Sequence, residues 1–351
     1  MNSSQEASEL PTVYGGVDVG GTNVKIGIVD DAGQILAQCK FPTEPEKSPT
    51  VAIEKSNQAI NEILSSAGID QQQLAAIGLG TPGPLDLQSG KILTPVNLPG
   101  WRDFPIRDEL AAATGRPVSY VNDAGAAAFG EYWAGGAEKY KSMILITLGT
   151  GVGGGIIIDD RSIDGAHSMG AEIGHMVIDN TDEARMCRCG RLGHLEAYAS
   201  ATSVAKRAQE GLASRKDSLL NQGDNEDSPI TSLSVFQAAT QSDKYALELV
   251  IETALRLGDA IATLAHIIDP AIVLLGGAMN FGGSESPVGT QFLEEIRSRV
   301  KNCTFPEIGK SLTIDFAKLG SSAGLVGAAG IARRDFLNQN TTAAPVVTAA
   351  D

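Results

Sequence analysis

The sequence has few of the features expected of a secreted, membrane-bound or nucleic-acid-binding protein. Only four of its 351 residues are cysteine, too few for a disulfide scaffold in a chain of this length. No apolar run is long enough to span a membrane, and the N-terminal "MNSSQEASELP" has neither the basic nor the apolar region of a secretory signal. Lysine and arginine total 27 against 42 aspartates and glutamates, and the net charge of −15 repels phosphate backbones. We therefore expect a cytoplasmic protein with no membrane and no nucleic-acid partner.

Glycine, by contrast, is abundant at 40 residues, while aromatic residues make up only 5%. The glycines follow no period of three, which excludes collagen and indicates tight turns and close backbone approaches. The stretch "VYGGVDVGGTNVKIGIVDDAGQILAQCKF" predicts a meander of three strands, and helical and strand patterns then alternate. A second strand–glycine turn–strand, "SMILITLGTGVGGGIIIDD", resembles the first hairpin. The chain is therefore predicted to be an α/β protein with an internal duplication.

Three glycine loops are candidates for nucleotide binding. Gly149, Gly151 and Gly154 match G-x-G-x-x-G, but the strand "GIIID" follows them where a dinucleotide-binding fold requires a helix. The loops "DVGGTN", "TLGTGVGG" and "LLGGAMN" could instead be plain turns, or could offer backbone N–H groups to phosphates. Because two of them recur in the same relation to their strands, we favour phosphate binding, with Asp18 holding Mg²⁺ through water. The predicted nucleotide-binding residues are Asp18, Gly20, Gly21, Thr22, Asn23, Gly149, Thr150, Gly151, Gly153, Gly276 and Gly277.

Two acidic segments are candidates for catalysis and binding. Asp123 follows the strand "PVSYV" and precedes an alanine-rich helix. Asn122 or Asp123 could simply cap this helix, or Asp123 could act as a general base at the carboxyl edge of a sheet. The segment "GAEIGH" places Glu172 and His175 three residues apart among small residues, which favours a packed site over an exposed surface.

The segment "CRCGRLGHLEAYAS" contains a candidate metal site. Cys187, Cys189 and His194 are soft or borderline ligands, and His175 can supply a fourth. Two cysteines and two histidines suit tetrahedral Zn²⁺ and leave no open position, which is typical of a structural site. The alternatives are a redox pair and a turn without a ligand.

Length and element order predict two domains. Residues 1–12 and 337–351 are predicted to be disordered. A small N-terminal α/β domain is predicted for 13–120 together with a returning helix at 321–336. A large α/β domain with the zinc-binding loop is predicted for 121–320.

These motifs together resemble the ROK-family sugar kinases, within the actin-like ATPase superfamily, and among them the bacterial glucokinases. The matching stretches are "DVGGTNVKIGIVD", "GLGTPGPLD", "NLPGW", "VNDAGAAAFGE", "LGTGVGGGIIID", "GAEIGHMVID", "CRCGRLGHLEAYAS" and "LLGGAMN". They follow the family's order from residue 14 to about 335. The resemblance implies a two-domain actin-like ATPase fold, related to ribonuclease H, with a cleft between the domains.

The resemblance also implies roles for individual residues. Asp123 corresponds to the family's catalytic base, which takes the proton of the sugar 6-hydroxyl as that oxygen attacks the γ-phosphate of ATP. The positions that match sugar contacts are Gly83, Asn97, Asn122, Asp123, Glu172, His175 and Glu196. The zinc positions fall on His175, Cys187, Cys189 and His194. The family's usual pattern, C-x-C-G-x-x-G-C-x-E, has a cysteine where this chain has His194. Histidine is itself a zinc ligand, so the site is retained.

The predicted function is therefore that of an ATP-dependent hexose kinase, a glucokinase, which uses Mg²⁺ and a structural Zn²⁺. Other sugars stay open as acceptors, namely N-acetylmannosamine, N-acetylglucosamine, fructose and mannose, as does polyphosphate as donor. A non-catalytic sugar sensor of the same family is a further alternative. Repressors of the family carry an additional N-terminal DNA-binding domain, for which we expect no room before the first strand near Tyr14. The resemblance also implies a homodimer or a larger homo-oligomer.

Overall fold

The computed structural model describes residues 11–95, 97–222 and 229–342. Contacts between Cα atoms divide these residues into two compact units. The first contains the described residues up to Ala134, residues 166–169 and the residues from Ser322 onward. The second contains Gly135–Gly165 and the described part of Gly170–Ser321. The α/β class predicted from the sequence is confirmed by this mixture of helices and strands.

The first unit is built on a sheet of five strands in the order β3-β2-β1-β4-β7. Strands β1, β2 and β3 form the predicted antiparallel meander, whereas β4 and β7 run parallel to β1. Strands β5 and β6 form a separate hairpin. The strands are β1 (Val13–Val19), β2 (Asn23–Asp30), β3 (Ile35–Pro42), β4 (Leu74–Thr81), β5 (Leu85–Asp86), β6 (Lys91–Ile92) and β7 (Val118–Asn122). The helices are α1 (Pro49–Ser66), α2 (Ile106–Thr114) and α3 (Asp123–Trp133).

The second unit is also built on a five-stranded sheet, in the order β10-β9-β8-β11-β12. Strands β8 and β9 are antiparallel, and β11 and β12 run parallel to β8. The strands are β8 (Ser142–Leu148), β9 (Val152–Ile158), β10 (Arg161–Ser162), β11 (Ile272–Gly276) and β12 (Thr313–Phe316). The helices are α4 (Glu196–Ala199), α5 (Ala201–Gly211), α6 (Ser232–Thr240), α7 (Lys244–Ile268), α8 (Pro287–Cys303) and α9 (Pro306–Ser311).

The last helix, α10 (Ala323–Thr342), returns to the first unit and packs on its sheet and on α3. Its backbone comes so close that side chains are excluded at the contact. A Cβ atom at Gly16 would lie 1.9 Å from the Leu325 carbonyl oxygen, and one at Gly78 would lie 1.8 Å from that of Ala328. Gly16 and Gly78 are paired across β1 and β4, so the two strands together present a surface without side chains on which the helix backbone packs. The glycines in these strands are therefore a packing requirement.

The boundary between the units lies further along the chain than the sequence predicted. The prediction ended the first domain at residue 120, before α3. In the structure α3 belongs to the first unit, because it packs against α10 through glycines: a Cβ at Gly130 would lie 2.3 Å from the Ala323 carbonyl oxygen. Residues 166–169 also join the first unit, where Ser168 Oγ accepts a hydrogen bond of 3.1 Å from Leu87 N–H.

The predicted disorder at the two ends falls mostly outside the described residues. Of the segment 1–12, only 11 and 12 are described, and they precede β1 without regular structure. The predicted tail, 337–351, begins inside α10, which continues to Thr342, and 343–351 lie outside the described residues. The helix extends because no glycine or proline follows Gly330 until Pro345, and adding residues to a formed helix costs little. No helix among the described residues combines the length and the apolar character needed to cross a membrane.

Candidate functional site

The first glycine loop, between β1 and β2, is a tight turn that a buried threonine holds in place. Gly20 N–H donates to the Asn23 carbonyl oxygen at 2.9 Å and closes the turn. Thr43 Oγ1 donates to the Gly20 carbonyl oxygen at 2.7 Å, and Thr43 N–H donates to that of Thr22 at 3.0 Å. Sequence reasoning missed Thr43, because only the pairing of Asn23 with Pro42 across β2 and β3 brings it to the loop.

Asp18, near the end of β1, places a carboxylate beside this loop. Lys25 Nζ lies 3.9 Å from its Oδ2, and a Cβ at Gly324 would lie 2.6 Å from the same oxygen. Burial raises the pKa of Asp18 to about 6, Lys25 opposes the rise, and the nearby Asp123 carboxylate adds to it. A carboxylate that is buried with little compensating charge is suited to bind a cation, whose charge favours the ionised form.

Asn122 and Asp123 lie side by side at the start of α3, where the sequence left open which of them caps the helix. Asn122 is the N-cap of α3, and its Oδ1 accepts from Ala124 N–H at 3.0 Å and from Gly125 N–H at 3.4 Å. Asp123 is the first helical residue, and its Oδ1 accepts from Ala124 N–H at 2.8 Å. Burial raises the pKa of Asp123, while the hydrogen bond from Ala124 opposes the rise. Because Asn122 performs the capping, the Asp123 carboxylate is not needed for that purpose and could accept a proton.

Gly83 and Asn97, two of the predicted sugar contacts, also lie in the first unit, close to Asn122 and to the first glycine loop. A Cβ built on Gly83 would lie 3.6 Å from Asn122 Nδ2, so the amide donor of Asn122 faces the Gly83 loop. A Cβ built on Gly21 would lie 3.2 Å from the Cβ of Asn97, which is exposed. Residues predicted separately as sugar contacts and phosphate contacts are therefore neighbours within one unit.

The second glycine loop, between β8 and β9, is held by the start of α5. Gly149 N–H donates to the Gly151 carbonyl oxygen at 3.0 Å within the turn. Ala201 N–H donates to the Gly149 carbonyl oxygen at 2.8 Å, and Thr202 Oγ1 donates to that of Thr150 at 2.9 Å. Gly153 follows in β9, where it pairs with Thr147.

The third glycine loop lies against the end of β8. A Cβ at Gly277, whose φ is +91°, would lie 2.2 Å from the Leu148 carbonyl oxygen. Gly276 pairs with Thr147 across β11 and β8. The predicted nucleotide residues of the second unit thus converge on the carboxyl end of β8.

The segment that contains Glu172 and His175 packs tightly on β9. A Cβ at Gly174 would lie 2.0 Å from the Val152 carbonyl oxygen, and one at Gly154 would lie 2.4 Å from Ile173 Cδ1. The small residues that the sequence showed around this segment are therefore required by backbone proximity. Glu172 and His175 themselves are exposed.

Glu196, the first residue of α4, faces the second glycine loop. Its Oε2 accepts from Val152 N–H at 3.1 Å, and Cys187 Sγ lies 3.5 Å from its Oε1. A Cβ at Gly151 would lie 2.4 Å from Glu196 Oε2, so the glycine leaves room for the carboxylate. This residue links the glycine loop to the cysteine segment.

The four predicted zinc ligands come together. The four ligand atoms of His175, Cys187, Cys189 and His194 all lie within 4.8 Å of one another. His194 Nδ1 is 3.2 Å from both His175 Nδ1 and Cys189 Sγ, and Cys187 Sγ is 3.9 Å from His175 Nδ1. Tetrahedral zinc, with bonds of about 2.3 Å to sulfur and about 2.0–2.1 Å to nitrogen, needs ligand atoms roughly 3.3–3.8 Å apart. The donor set suits a zinc ion, and the three quoted spacings lie close to this range.

The loop around these ligands, which we call the knuckle (residues 176–195), is held by an acid–phenol contact. Tyr198 Oη donates to Asp179 Oδ2 at 2.7 Å and accepts from Arg185 N–H at 2.8 Å. The hydrogen bonds from Tyr198 and Thr181 lower the pKa of Asp179 to about 2. Burial raises the pKa of the Cys187 thiol to about 11. Sequence reasoning missed Asp179 and Tyr198, because neither belongs to a recognisable ligand pattern.

Comparison with known proteins gives one consistent result. The sequence model of the ROK family matches residues 14–335. The glucokinase of Halalkalibacterium halodurans is 38% identical over 314 residues, which cover 90% of this chain and 93% of the relative. The crystal structure of a ROK hexokinase from Thermus thermophilus matches with a TM-score of 0.78 at 32% identity, covering 93% of this chain and 100% of that chain.

A second solved structure adds ligands to the comparison. A ROK family glucokinase from Streptomyces griseus, in complex with glucose and AMPPNP, matches with a TM-score of 0.72 at 34% identity. The match covers 92% of this chain and 99% of that chain. The family model and these matches cover nearly the whole described length, and the chain belongs to the ROK family.

Proposed function

We propose that this protein is an ATP-dependent hexose kinase, a glucokinase, that transfers the γ-phosphate of ATP to the 6-hydroxyl of glucose. The observation that carries the proposal is the position of Asp123. It lies directly after a parallel strand, in the first turn of α3, with a pKa raised by burial and with the capping done by Asn122. The similarity to glucokinases at 38% and 34% identity supports this activity.

In the proposed reaction Asp123 accepts the proton of the sugar hydroxyl as the oxygen attacks the γ-phosphorus. The bond between that phosphorus and the oxygen bridging to the β-phosphate breaks, which leaves ADP. Phosphoryl transfer depends mainly on positioning and on stabilising charge, so a well-placed base need only orient and deprotonate the nucleophile. A general base contributes about 10²–10⁴-fold to such a rate.

The proposed sugar contacts are polar side chains of both units together with the loop glycine Gly83. Asn122 uses its Oδ1 for capping, so we assign its Nδ2 as the group that donates to a sugar hydroxyl. Glu172 and His175 are exposed on the segment that packs on β9. One carboxylate oxygen of Glu196 accepts a hydrogen bond from Val152 N–H. Gly83 and Asn97 complete the set within the first unit.

The proposed nucleotide contacts are the backbone N–H groups of the three glycine loops, with Thr22, Asn23 and Thr150 beside them. Mg²⁺, bound through water to Asp18, would neutralise charge on the β- and γ-phosphates. The raised pKa of Asp18 supports this assignment, since its ionisation is favoured when a cation is near. A cytoplasmic location and a homodimer or larger homo-oligomer stay part of the proposal, and light scattering tests the assembly.

Zn²⁺ would be held by His175, Cys187, Cys189 and His194, and it would supply no chemistry to the transfer. Four protein ligands leave no open position, which is typical of a structural ion. Its effect would be to fix the knuckle, and with it the orientation of His175 and Glu196. The contact of Cys187 Sγ with Glu196 Oε1 at 3.5 Å supports this link.

A panel of sugars and donors tests the function directly. ADP or sugar phosphate is measured with glucose, mannose, fructose, N-acetylmannosamine and N-acetylglucosamine, each with ATP and with polyphosphate. We expect the highest kcat/KM for glucose with ATP. A higher kcat/KM for an N-acetylhexosamine would assign another acceptor to the same site. Sugar binding without any phosphorylated product would identify a sensor and would contradict the proposal.

A further inference from the structure

A cavity of about 260 Å³ lies in the second unit, beside the knuckle and the first turns of α5. Three cationic side chains line it: Arg185 and Arg188 from the knuckle and Lys206 from α5. None of the assigned ATP loops lines it, and no residue of it was singled out by a motif except Glu196. The cavity therefore lies outside the assigned ATP loops but shares Glu196 with the proposed sugar contacts.

The cavity has an excess of positive charge. Glu210 neutralises only Arg185, whose Nη2 donates to both carboxylate oxygens at 3.0 and 2.8 Å. The Glu196 carboxylate is turned to Val152 N–H. Arg188 and Lys206 have no acidic partner within the described ranges 11–95, 97–222 and 229–342. The cavity therefore brings three cationic side chains together with two carboxylates, one of which is bound to Arg185 and the other to Val152 N–H.

The N-terminal turn of α5 adds hydrogen-bond donors on the same wall. Thr202 and Ser203 line the cavity. Ser200 Oγ accepts from Ser203 N–H at 3.1 Å, and Ala201 N–H donates to the Gly149 carbonyl oxygen. Thr202 Oγ1 and Ser203 Oγ already donate to the carbonyl oxygens of Thr150 and Glu196, so in the part of the chain that the structure describes this turn leaves the Thr202 N–H as its donor. A helix N-terminus carries a partial positive charge and favours an anion, which here adds to the charge of Arg188 and Lys206.

We propose that this cavity is a binding site for a phosphate group, either inorganic phosphate or a phosphate monoester. A phosphate dianion offers several strong acceptor oxygens to converging donors, and arginine and lysine recognise it through charge-assisted hydrogen bonds. The volume admits such a small group. None of its cations belongs to the proposed catalytic or sugar-binding residues, and Glu196 is the one proposed sugar contact that lines it.

The test is calorimetric titration of the full chain with inorganic phosphate. Because α5 also holds the second glycine loop, saturating AMPPNP with Mg²⁺ and glucose are present to occupy the proposed active site. The variant R188Q/K206Q is compared with the control K216Q/K310Q, which removes the same charge at exposed positions elsewhere in the unit. We expect the cavity variant to bind phosphate at least about tenfold more weakly, since each charge-assisted hydrogen bond contributes about 1.5–3 kcal/mol. The control is expected to bind like the wild type.

The source of the phosphate group is identified by repeating the titration with a hexose 6-phosphate. Tighter binding than that of inorganic phosphate, lost in R188Q/K206Q, assigns the site to a sugar phosphate, and the reverse order assigns it to free phosphate. The proposal is overturned if the wild type does not bind either compound under these conditions. It is also overturned if R188Q/K206Q binds as tightly as the control.

Discussion

The two units share one sheet topology but carry different chemistry at equivalent positions. In each, a central strand pairs antiparallel with the next strand through a glycine turn and parallel with a strand later in the chain. Asp18 in β1 pairs with Gly80 in β4, and Thr147 in β8 pairs with Gly276 in β11. Asp18 and Thr147 are thus each the penultimate residue of the central strand of their unit, but only Asp18 carries a charge.

A second difference lies at the last strand of each sheet. In the first unit β7 ends at Asn122 and Asp123 follows, whereas in the second β12 ends at Phe316 and Ala317 follows. The second unit carries the knuckle instead. The comparison teaches that the repeated topology supplies a glycine turn twice, while the acidic side chains that we propose for proton transfer and cation binding occur in one copy only.

The largest effect is expected from removing the carboxylate of Asp123, which has no acidic counterpart after β12 in the second unit. Asp123→Asn keeps the shape of the side chain but removes the proton acceptor, so kcat should fall by about 10²–10⁴-fold. The matched control is Asp108→Asn, which removes an acidic residue from the first turn of another helix of the same unit. Steady-state kinetics of both variants, with circular dichroism to verify the fold, make the measurement. Near-normal turnover of Asp123→Asn would refute its role as base.

The pair Asp18 and Thr147 tests whether charge distinguishes the two glycine turns. Asp18→Asn removes the proposed cation ligand, so kcat/KM for MgATP should fall by about 10–100-fold, the effect of losing one or two charge-assisted hydrogen bonds. Thr147→Val, at the equivalent position, should have a smaller effect. The equality of the two losses in kinetic assays would contradict the assignment of Mg²⁺ to Asp18.

Asp18→Asn should also stabilise the protein when Mg²⁺ and nucleotide are absent. The unfolded chain loses the Asp18 proton near pH 3.8 and the folded chain near pH 6, so the folded state holds more protons in between. The free energy of unfolding therefore falls as pH rises through this window. Above pH 6, the free energy of unfolding of Asp18→Asn should exceed that of the wild type by at most about 3 kcal/mol. Urea unfolding at pH 4 and 7.5 tests this, and a variant less stable at pH 7.5 would contradict it.

The knuckle can be tested by changing the ligand that departs from the family pattern. We expect one zinc per chain, retained in His194→Cys and lost in His194→Ala, because only the first keeps a fourth ligand. Loss of the ion should loosen the orientation of His175 and Glu196 and raise the KM for sugar by roughly tenfold, while kcat changes less. Elemental analysis beside sugar kinetics makes the comparison. If wild-type protein contained no zinc and had full activity, the prediction of a structural zinc would be wrong.

The smallest effect is expected at the second glycine turn. A Cβ at Gly151 displaces the Glu196 carboxylate from Val152 N–H, whereas a Cβ at Gly149 meets no atom within 4 Å. Gly151→Ala should therefore lower the free energy of unfolding by about 0.5–1.5 kcal/mol, the value of one hydrogen bond. Gly149→Ala is expected to change it less. Thermal unfolding of both variants in the absence of ligands measures the difference, and equal stabilities would indicate that Glu196 is held by other contacts.

The fold was largely predictable from local patterns, and the exceptions have a common cause. Strands, helices and the duplication were readable because alternation, helical spacing and glycine turns are properties of short segments. The boundary at residue 120 and the disorder from residue 337 differ from the structure, because α3 and the end of α10 depend on contacts distant in sequence. Thr43, Asp179 and Tyr198 were missed for the same reason.

The sequence by itself determined the α/β class, the three glycine loops and the residue types of the candidate site, including a cysteine–histidine set that suits zinc. The assignment of substrate roles to individual residues stays a prediction. The tertiary structure alone decided that Asn122 is the N-cap of α3 and Asp123 its first residue, and that Gly16 and Gly78 leave room for the backbone of α10. It also decided that two cations are left unpaired beside α5. Motifs are read along the chain, whereas burial, capping and charge balance depend on which distant residues fill the space around a side chain.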